Sequence, residues 1–140
     1  MKIVYYSTSG NTEVMAQLMK DGIEAAGKQA ELIVAADANA DEIANEEVII
    51  LGCSAYGAEQ LDEEYMEPLV NALSDKVNGK KVALFGSYSW GEGEWMKEWE
   101  ERMKSYGAQL VGDGLIIQET PEDDEAVEAC KVFGKMLANL

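Results

Sequence analysis

The amino-acid sequence predicts an α/β fold in which a five-stranded parallel sheet, of order 2-1-3-4-5, carries helices on both faces. Two observations predict it. Short apolar segments alternate with segments whose apolar residues repeat at helical spacing. The segment Val48–Cys53 is also almost continuously apolar, as is typical of a parallel strand buried on both faces. With 140 residues, 47% of them hydrophobic, the chain is expected to form a single domain over residues 1–140.

The predicted strands are short and rich in β-branched and aromatic residues. They are Lys2–Tyr6, Ala30–Val34, Val48–Cys53, Val82–Ser87 and Leu110–Ile117, the last interrupted by Gly112-Asp113-Gly114. Apolar residues at helical spacing predict four helices between and after the strands. These contain Met15 to Ile23 with Gly27 as cap, Tyr65 to Leu73 with Pro68 in the first turn, Trp95 to Met103 ending near Gly107, and Val127 to Leu137 opened by Pro121.

Charge and cysteine content exclude several classes of function. The chain has 27 acidic and 11 basic residues, a formal net charge of −16, which opposes binding to nucleic acid or to anionic membranes and favours a basic partner. The absence of histidine and of any C-x-x-C pair argues against a metal or haem site.

The expected location follows from the cysteines and the apolar segments. Cys53 and Cys130 are expected to be buried thiols in a reducing compartment. No apolar segment is long enough for a secretion signal or a membrane span, so we expect a cytoplasmic protein.

In a sheet of this order, ligands bind beyond the carboxyl ends of the strands, where strands 1 and 3 are neighbours. The loop Ser7–Thr12 follows strand 1, and four of its six residues carry hydroxyl groups. Gly10 allows a tight turn, and the following helix offers free N–H groups to an anion. Neither this loop nor the two other loops at this edge, Ser54–Glu64 and Ser87–Glu94, contains Lys or Arg. This favours one terminal phosphate ester, as in a mononucleotide, although a plain helix cap is the alternative.

The second and third loops place aromatic residues beside glycines. Tyr56 precedes Gly57, and Tyr88 and Trp90 precede Gly91. Aromatic side chains at a ligand-binding edge favour stacking on a flat ring. A phosphorylatable receiver domain would need an Asp at the end of strand 3, and a low-molecular-weight tyrosine phosphatase would need Cys and Arg in the first loop. The sequence has neither arrangement.

Three motifs carry a family resemblance: Ser-Thr-Ser-Gly-Asn-Thr after strand 1, V-I-I-L-G-C-S-A-Y-G from Val48, and K-K-V-A-L-F-G-S-Y-S-W-G-E-G-E-W-M from Lys80. In this order and spacing they resemble the flavodoxins, most closely the short-chain flavodoxins of anaerobic bacteria. The resemblance implies a flavodoxin-like three-layer sandwich and non-covalently bound FMN. Ala58, Ser89 and Tyr56 differ from the residues most frequent in the family.

The resemblance also implies a role for each matching position. Ser7, Thr8, Ser9, Asn11 and Thr12 would hold the FMN phosphate, with Ser54 and Ser87 completing the pocket. Trp90 would stack on the outer face of the flavin and Tyr56 on the inner face. Glu59 would accept a hydrogen bond from flavin N3–H, and the peptide of Gly57 would turn over on reduction. The remaining cofactor contacts are expected at Gly10, Ala55, Ala58, Tyr88, Ser89, Gly91 and Gly93.

The implied function is electron transfer rather than enzyme catalysis. We expect a low-potential one-electron carrier that shuttles between flavin semiquinone and hydroquinone, because carboxylates in or beside the loops disfavour a reduced flavin anion. These carboxylates are Glu59, Asp62, Glu63, Glu64, Glu92 and Glu94. Expected partners are redox proteins with basic docking surfaces, such as reductases or the acceptor enzymes that ferredoxins also serve, and the chain is expected to be a monomer. The alternatives are a flavin-dependent NAD(P)H or quinone reductase and a non-redox FMN-storing module.

Overall fold

A computed structural model of the chain describes residues 1–55, 60–89 and 91–140. Its strands are β1 (Lys2–Tyr6), β2 (Glu31–Val34), β3 (Val48–Cys53), β4 (Lys81–Tyr88), β5 (Gln109–Leu110) and β6 (Leu115–Gln118). Its α-helices are α1 (Asn11–Ala25), α2 (Ala40–Ala44), α3 (Met66–Leu73), α4 (Glu94–Ser105) and α5 (Asp124–Ala138). A short 3₁₀ helix, Ala35–Asp37, follows β2.

The strand order β2-β1-β3-β4-β5 confirms the predicted sheet, and all its pairings are parallel. The fifth position is divided between two strands on either side of Gly112-Asp113-Gly114, where the sequence predicted an interruption. β5 pairs with the amino-terminal end of β4, and β6 pairs with its carboxyl-terminal half. Gly112, at φ 69°, turns the chain between them, and the Gly114 N–H donates to the Glu100 carboxylate at 3.1 Å instead of to the sheet.

Alternate residues of the central strands point into two separate cores, as the two-residue period of a strand requires. Ile49 and Leu51 pack with α2, α3 and α4 on one face. Ile50, on the other face, packs with α1 and α5. The resulting arrangement is a three-layer sandwich, as predicted.

Two glycines allow α1 and α5 to pack closely. A Cβ atom on Gly22 would lie 2.0 Å from the carbonyl oxygen of Lys131, and one on Gly134 would lie 2.1 Å from that of Met19. Larger side chains at either position would separate the helices. The core on this face therefore depends on the two glycines as well as on its apolar residues.

Some predicted element boundaries were wrong. The last helix begins at Asp124, capped by Asp123, whose carboxylate accepts from the Ala126 N–H at 2.7 Å. The buried Pro121 precedes the helix and does not open it. The sequence reading also missed α2, although Asn39 caps it by accepting from the Glu42 N–H at 3.1 Å. Its five residues are too few for a clear helical period.

No helix in the described parts of the chain has the length and apolar character needed to cross a lipid bilayer.

Candidate functional site

The first loop turns into α1 at Gly10, which has φ 91°. Its N–H donates to the Ser7 hydroxyl at 3.1 Å, and its carbonyl accepts from the Val14 N–H at 3.0 Å. Gly10 is the N-cap of α1 and brings no side-chain cap, so the first-turn N–H groups are not capped from that position. The helix starts earlier than predicted, because Asn11 and Thr12 lie in its first turn.

Thr12 lies at the centre of a buried hydroxyl cluster. Its Oγ1 is 2.7 Å from Ser54 Oγ and 3.2 Å from Ser87 Oγ, and it also accepts from the Ser87 N–H at 3.2 Å. Thr12 is fully buried and Ser87 is buried, whereas Thr8 and Ser9 are exposed. The cluster joins the beginning of α1 to the ends of β3 and β4, so the three loops singled out by the sequence meet at one place.

The second loop is fixed to the third where it leaves β3. The Ala55 N–H donates to the Ser87 carbonyl at 3.0 Å, and the indole Nε1–H of Trp95 donates to the Cys53 carbonyl at 3.2 Å. Five residues with predicted contacts to the flavin lie outside the described residues: Tyr56, Gly57, Ala58, Glu59 and Trp90. Their roles stay predictions.

The third loop begins later than predicted, because Ser87 and Tyr88 belong to β4. The half-buried Tyr88 ring packs against Trp95 with a centroid distance of 5.8 Å and an interplanar angle of 47°. Ser89 is exposed, and its carbonyl accepts from the Gln118 side-chain amide at 3.3 Å. This hydrogen bond fastens the third loop to β6.

Two glycines of the third loop take conformations that favour glycine. Gly91 has φ 88°, and Gly93 has φ 86° and is the N-cap of α4. Gly93 brings no side-chain cap to that helix. Both residues allow the turn from β4 into α4 at little steric cost.

The carboxylates predicted in or beside the three loops, here called the acidic rim, need one correction. Asp62 is 3% exposed, and its carboxylate accepts from the N–H groups of Tyr65 at 2.7 Å and Met66 at 3.0 Å. It therefore stabilises the turn that leads into α3, whose N-cap is Tyr65, and does not face solvent. Glu63 and Glu64 are exposed and remain part of the rim.

The other side of the rim is also acidic. Glu92 and Glu94 are exposed, and the Glu92 N–H donates to the Glu94 carboxylate at 3.0 Å.

Both cysteines are buried, as predicted. Burial raises the pKa of the Cys53 thiol from 9.0 to about 12 and that of Cys130 to about 11. A neutral thiol is a poor nucleophile, so neither residue is suited to covalent chemistry near neutral pH.

Sequence reasoning missed the contribution of Trp95 and Gln118 to the site. The helical spacing of Trp95 predicted only a core position, and its burial at 2% exposure agrees with that. Its hydrogen bond to Cys53 joins residues 42 positions apart, and no local pattern in the sequence encodes it. Gln118 lies at the end of a short strand, and none of its sequence neighbours indicates that it contacts the third loop.

The fold and site define a class: a doubly wound α/β protein with a cluster of hydroxyl side chains at the switch point of its sheet. Comparison with known proteins agrees. A sequence model described as "Flavodoxin" matches residues 3–133. The flavodoxin of Clostridium beijerinckii is 52% identical over the full length of both chains, and that of Megasphaera elsdenii is 44% identical over 99% of this chain and 98% of the relative.

Solved structures agree as well. The solution structure of two-electron reduced Megasphaera elsdenii flavodoxin superposes with a TM-score of 0.90, covering 99% of this chain and 98% of the other at 44% identity. A flavodoxin structure from the domain Archaea gives a TM-score of 0.83 at 33% identity, covering 99% and 97% of the two chains. The chain belongs to the flavodoxin family. It is an electron-transfer flavoprotein with FMN as its cofactor, and not an enzyme.

Proposed function

We propose that this chain, as one domain of residues 1–140, is a low-potential, one-electron carrier that works between the semiquinone and hydroquinone forms of FMN. The observation that carries the proposal is the Thr12–Ser54–Ser87 hydroxyl cluster, which joins the three predicted FMN loops. FMN supplies the redox chemistry when it is bound. The protein holds it, excludes water and sets the surrounding charge.

The described residues of the first loop suit a phosphate ester. Thr8 and Ser9 expose their hydroxyl groups, and Gly10 leaves the N-terminus of α1 without a side-chain cap. A Cβ on Gly10 would have no neighbour within 4 Å, so there is open space beside the turn. We infer that Ser7 to Thr12 hold the phosphate, with Ser54 and Ser87 beneath them.

We infer that the flavin ring lies between the second and third loops. Ala55, Tyr56, Gly57, Ala58 and Glu59 would contact it from one side. Tyr88, Ser89, Trp90, Gly91 and Gly93 would form the other side. The support is the family resemblance together with the hydrogen bonds that hold Ala55 and Ser89 in place.

The low potential follows from the exposed carboxylates of the rim. One carboxylate at about 10 Å from a developing anion, at an effective dielectric of about 20, costs roughly 1.7 kcal/mol, or about 70 mV for one electron. Solvent and salt reduce this value at exposed positions. Glu63, Glu64 and Glu92 therefore disfavour addition of the second electron.

The same charge suits an encounter with a basic redox partner, a reductase or an acceptor enzyme of the type that ferredoxins serve. We expect the rate of partner reduction to fall as ionic strength rises. The proposed carrier is a cytoplasmic monomer. Its net charge of −16 opposes self-association.

The test combines a reductive titration with a matched charge control. Anaerobic titration of the FMN-loaded protein should pass through a blue, one-electron-reduced form before full reduction. Replacing Glu63, Glu64 and Glu92 together by Gln should raise the second potential by tens of millivolts. The control replaces Glu24, Glu31 and Glu47 by Gln. These exposed residues lie toward the amino-terminal ends of the strands, away from the three loops.

Two outcomes would contradict the proposal. If the second reduction potential shifted equally in the two triple variants, the carboxylates near the loops would not be the cause of the low potential. Direct two-electron reduction, together with steady-state oxidation of NADH or NADPH by the pure protein, would identify a flavin-dependent reductase.

A further inference from the structure

The side chain of Trp95 contacts the last residues of both β3 and β4. It lies on α4 and is 2% exposed. Its indole N–H donates to the carbonyl of Cys53, the last residue of β3, at 3.2 Å. Its ring packs against Tyr88, the last residue of β4, with centroids 5.8 Å apart.

The Cys53 carbonyl belongs to the peptide that leads into the second loop. Ser54, on the other side of this peptide, bonds to Thr12 at 2.7 Å. The next residue, Ala55, donates its N–H to the Ser87 carbonyl at 3.0 Å. A shift of the Cys53–Ser54 peptide would therefore disturb the hydroxyl cluster and the join between the second and third loops.

The backbone leaves room for this contact at Gly86. A Cβ atom there would lie 2.1 Å from the Cys53 carbonyl oxygen and 3.2 Å from Cζ2 of Trp95. Gly86 does not have positive φ, so glycine is needed there because a side chain would not fit, and not because of the backbone conformation. The close approach of β4, Cys53 and Trp95 is thus a feature of the fold that a side chain at position 86 would prevent.

We propose that Trp95 is a positioning residue for FMN, which fixes the ends of β3 and β4 relative to each other through the Cys53 carbonyl and the Tyr88 ring. The proposal depends on the proposed FMN site. Trp95 acts through the backbone of the second loop and not by touching the flavin. Its hydrogen bond matters because it is buried, so that water does not readily replace it when it is lost.

The chain offers a matched control one helical turn further on. Trp99 is 1% exposed on the same helix, and its Nε1 has no hydrogen-bond partner. Trp95→Phe removes a ring and a hydrogen bond, whereas Trp99→Phe removes a ring of equal size and breaks no hydrogen bond of the indole. Comparing the two variants separates positioning from packing.

The first measurement is the dissociation constant of FMN, from quenching of flavin fluorescence. Trp95→Phe should weaken binding about two- to tenfold, the range expected for one lost hydrogen bond, and Trp99→Phe should leave it within about twofold. Visible circular dichroism of the bound flavin should change in the Trp95 variant alone. Failure of the unsubstituted protein to bind FMN would contradict the proposed function itself.

The second measurement uses the apoprotein and does not depend on FMN. Amide hydrogen exchange at Ala55 should be about tenfold faster in Trp95→Phe than in the parent chain, and unchanged in Trp99→Phe. Replacing Trp95 by benzothienylalanine, in which sulfur takes the place of the indole N–H, keeps the ring size should Trp95→Phe fold poorly. Equal exchange at Ala55 and equal FMN affinity in all these proteins would overturn the positioning role.

Discussion

The hydroxyl oxygens of Thr12 and Ser54 are 2.7 Å apart, although the two residues are separated by 42 positions in the sequence. Thr12 belongs to the first turn of α1, and Ser54 follows the last residue of β3. Because the carboxyl ends of parallel strands meet at one edge, two short polar loops form a single site. Ser87 completes the cluster from β4.

Thr12→Val should destabilise the apoprotein and weaken FMN binding. The variant keeps the shape of the side chain but leaves the buried Ser87 N–H without its acceptor, which costs about 1–3 kcal/mol. Chemical denaturation of the apoprotein measures this loss. Thr8→Val is the control, since Thr8 is exposed and the change should alter apoprotein stability by no more than about 0.5 kcal/mol. Equal losses in the two variants would contradict the assigned role of Thr12.

Asp62→Ala should lower the free energy of unfolding by about 1–2 kcal/mol. The carboxylate accepts from the N–H groups of Tyr65 and Met66 at the turn into α3, and its removal leaves both without this acceptor. Urea denaturation measures the change. Glu63→Ala removes a neighbouring exposed carboxylate and should have an effect below about 0.5 kcal/mol. A loss at Glu63 as large as that at Asp62 would show that charge, and not these hydrogen bonds, is responsible.

Gly86→Ala should destabilise the protein far more than Gly79→Ala. A Cβ on Gly86 would overlap the Cys53 carbonyl, whereas one on Gly79 has no neighbour within 4 Å. Gly79 has φ 76°, so its substitution costs only about 1–2 kcal/mol of backbone strain. The melting temperatures of the two variants compare the steric cost at Gly86 with the backbone strain at Gly79. Similar melting temperatures would mean that the backbone at Gly86 yields easily.

Stability should decline above pH 9 in part because of Cys53. Its thiol has a pKa raised to about 12 by burial, so the folded state holds a proton that the unfolded chain releases from about pH 9 upward. The stabilisation that the protonated Cys53 thiol gives the folded state is complete below pH 9. It is lost as pH rises toward 12, at no more than about 1.4 kcal/mol per pH unit. Unfolding free energies of the parent chain and of Cys53→Ala should therefore converge over this range. Curves that stay parallel would contradict the raised pKa.

Much of the fold could be predicted because it is encoded locally. The apolar run Val48–Cys53 identified the central strand, and the helical spacing of Trp95 and Trp99 identified α4. The interruption of the last strand at Gly112-Asp113-Gly114 was also visible in the sequence, but not that β5 and β6 pair with different parts of β4. The five-residue α2 was not predicted, because it is held by its neighbours more than by its own pattern.

The candidate site, too, could be predicted only in part from the sequence. The polar first loop and its glycine were visible in the sequence, and the structure brings Ser54 and Ser87 to Thr12 as the predicted topology requires. The placement of Asp62 was not visible, because a buried Asp that accepts from backbone N–H groups and an exposed Asp can have the same neighbours in the sequence. Only burial and its two N–H donors distinguish them.

The sequence by itself determined the order of the strands and of the four longer helices, the family and the composition of the three loops, since these depend on residue type and spacing. The tertiary structure decided which side chains connect the loops. The hydrogen bond from Trp95 to Cys53 joins residues 42 positions apart, and it forms in space that Gly86 leaves open. Such a contact depends on packing between distant elements, and neither residue type nor local period specifies it.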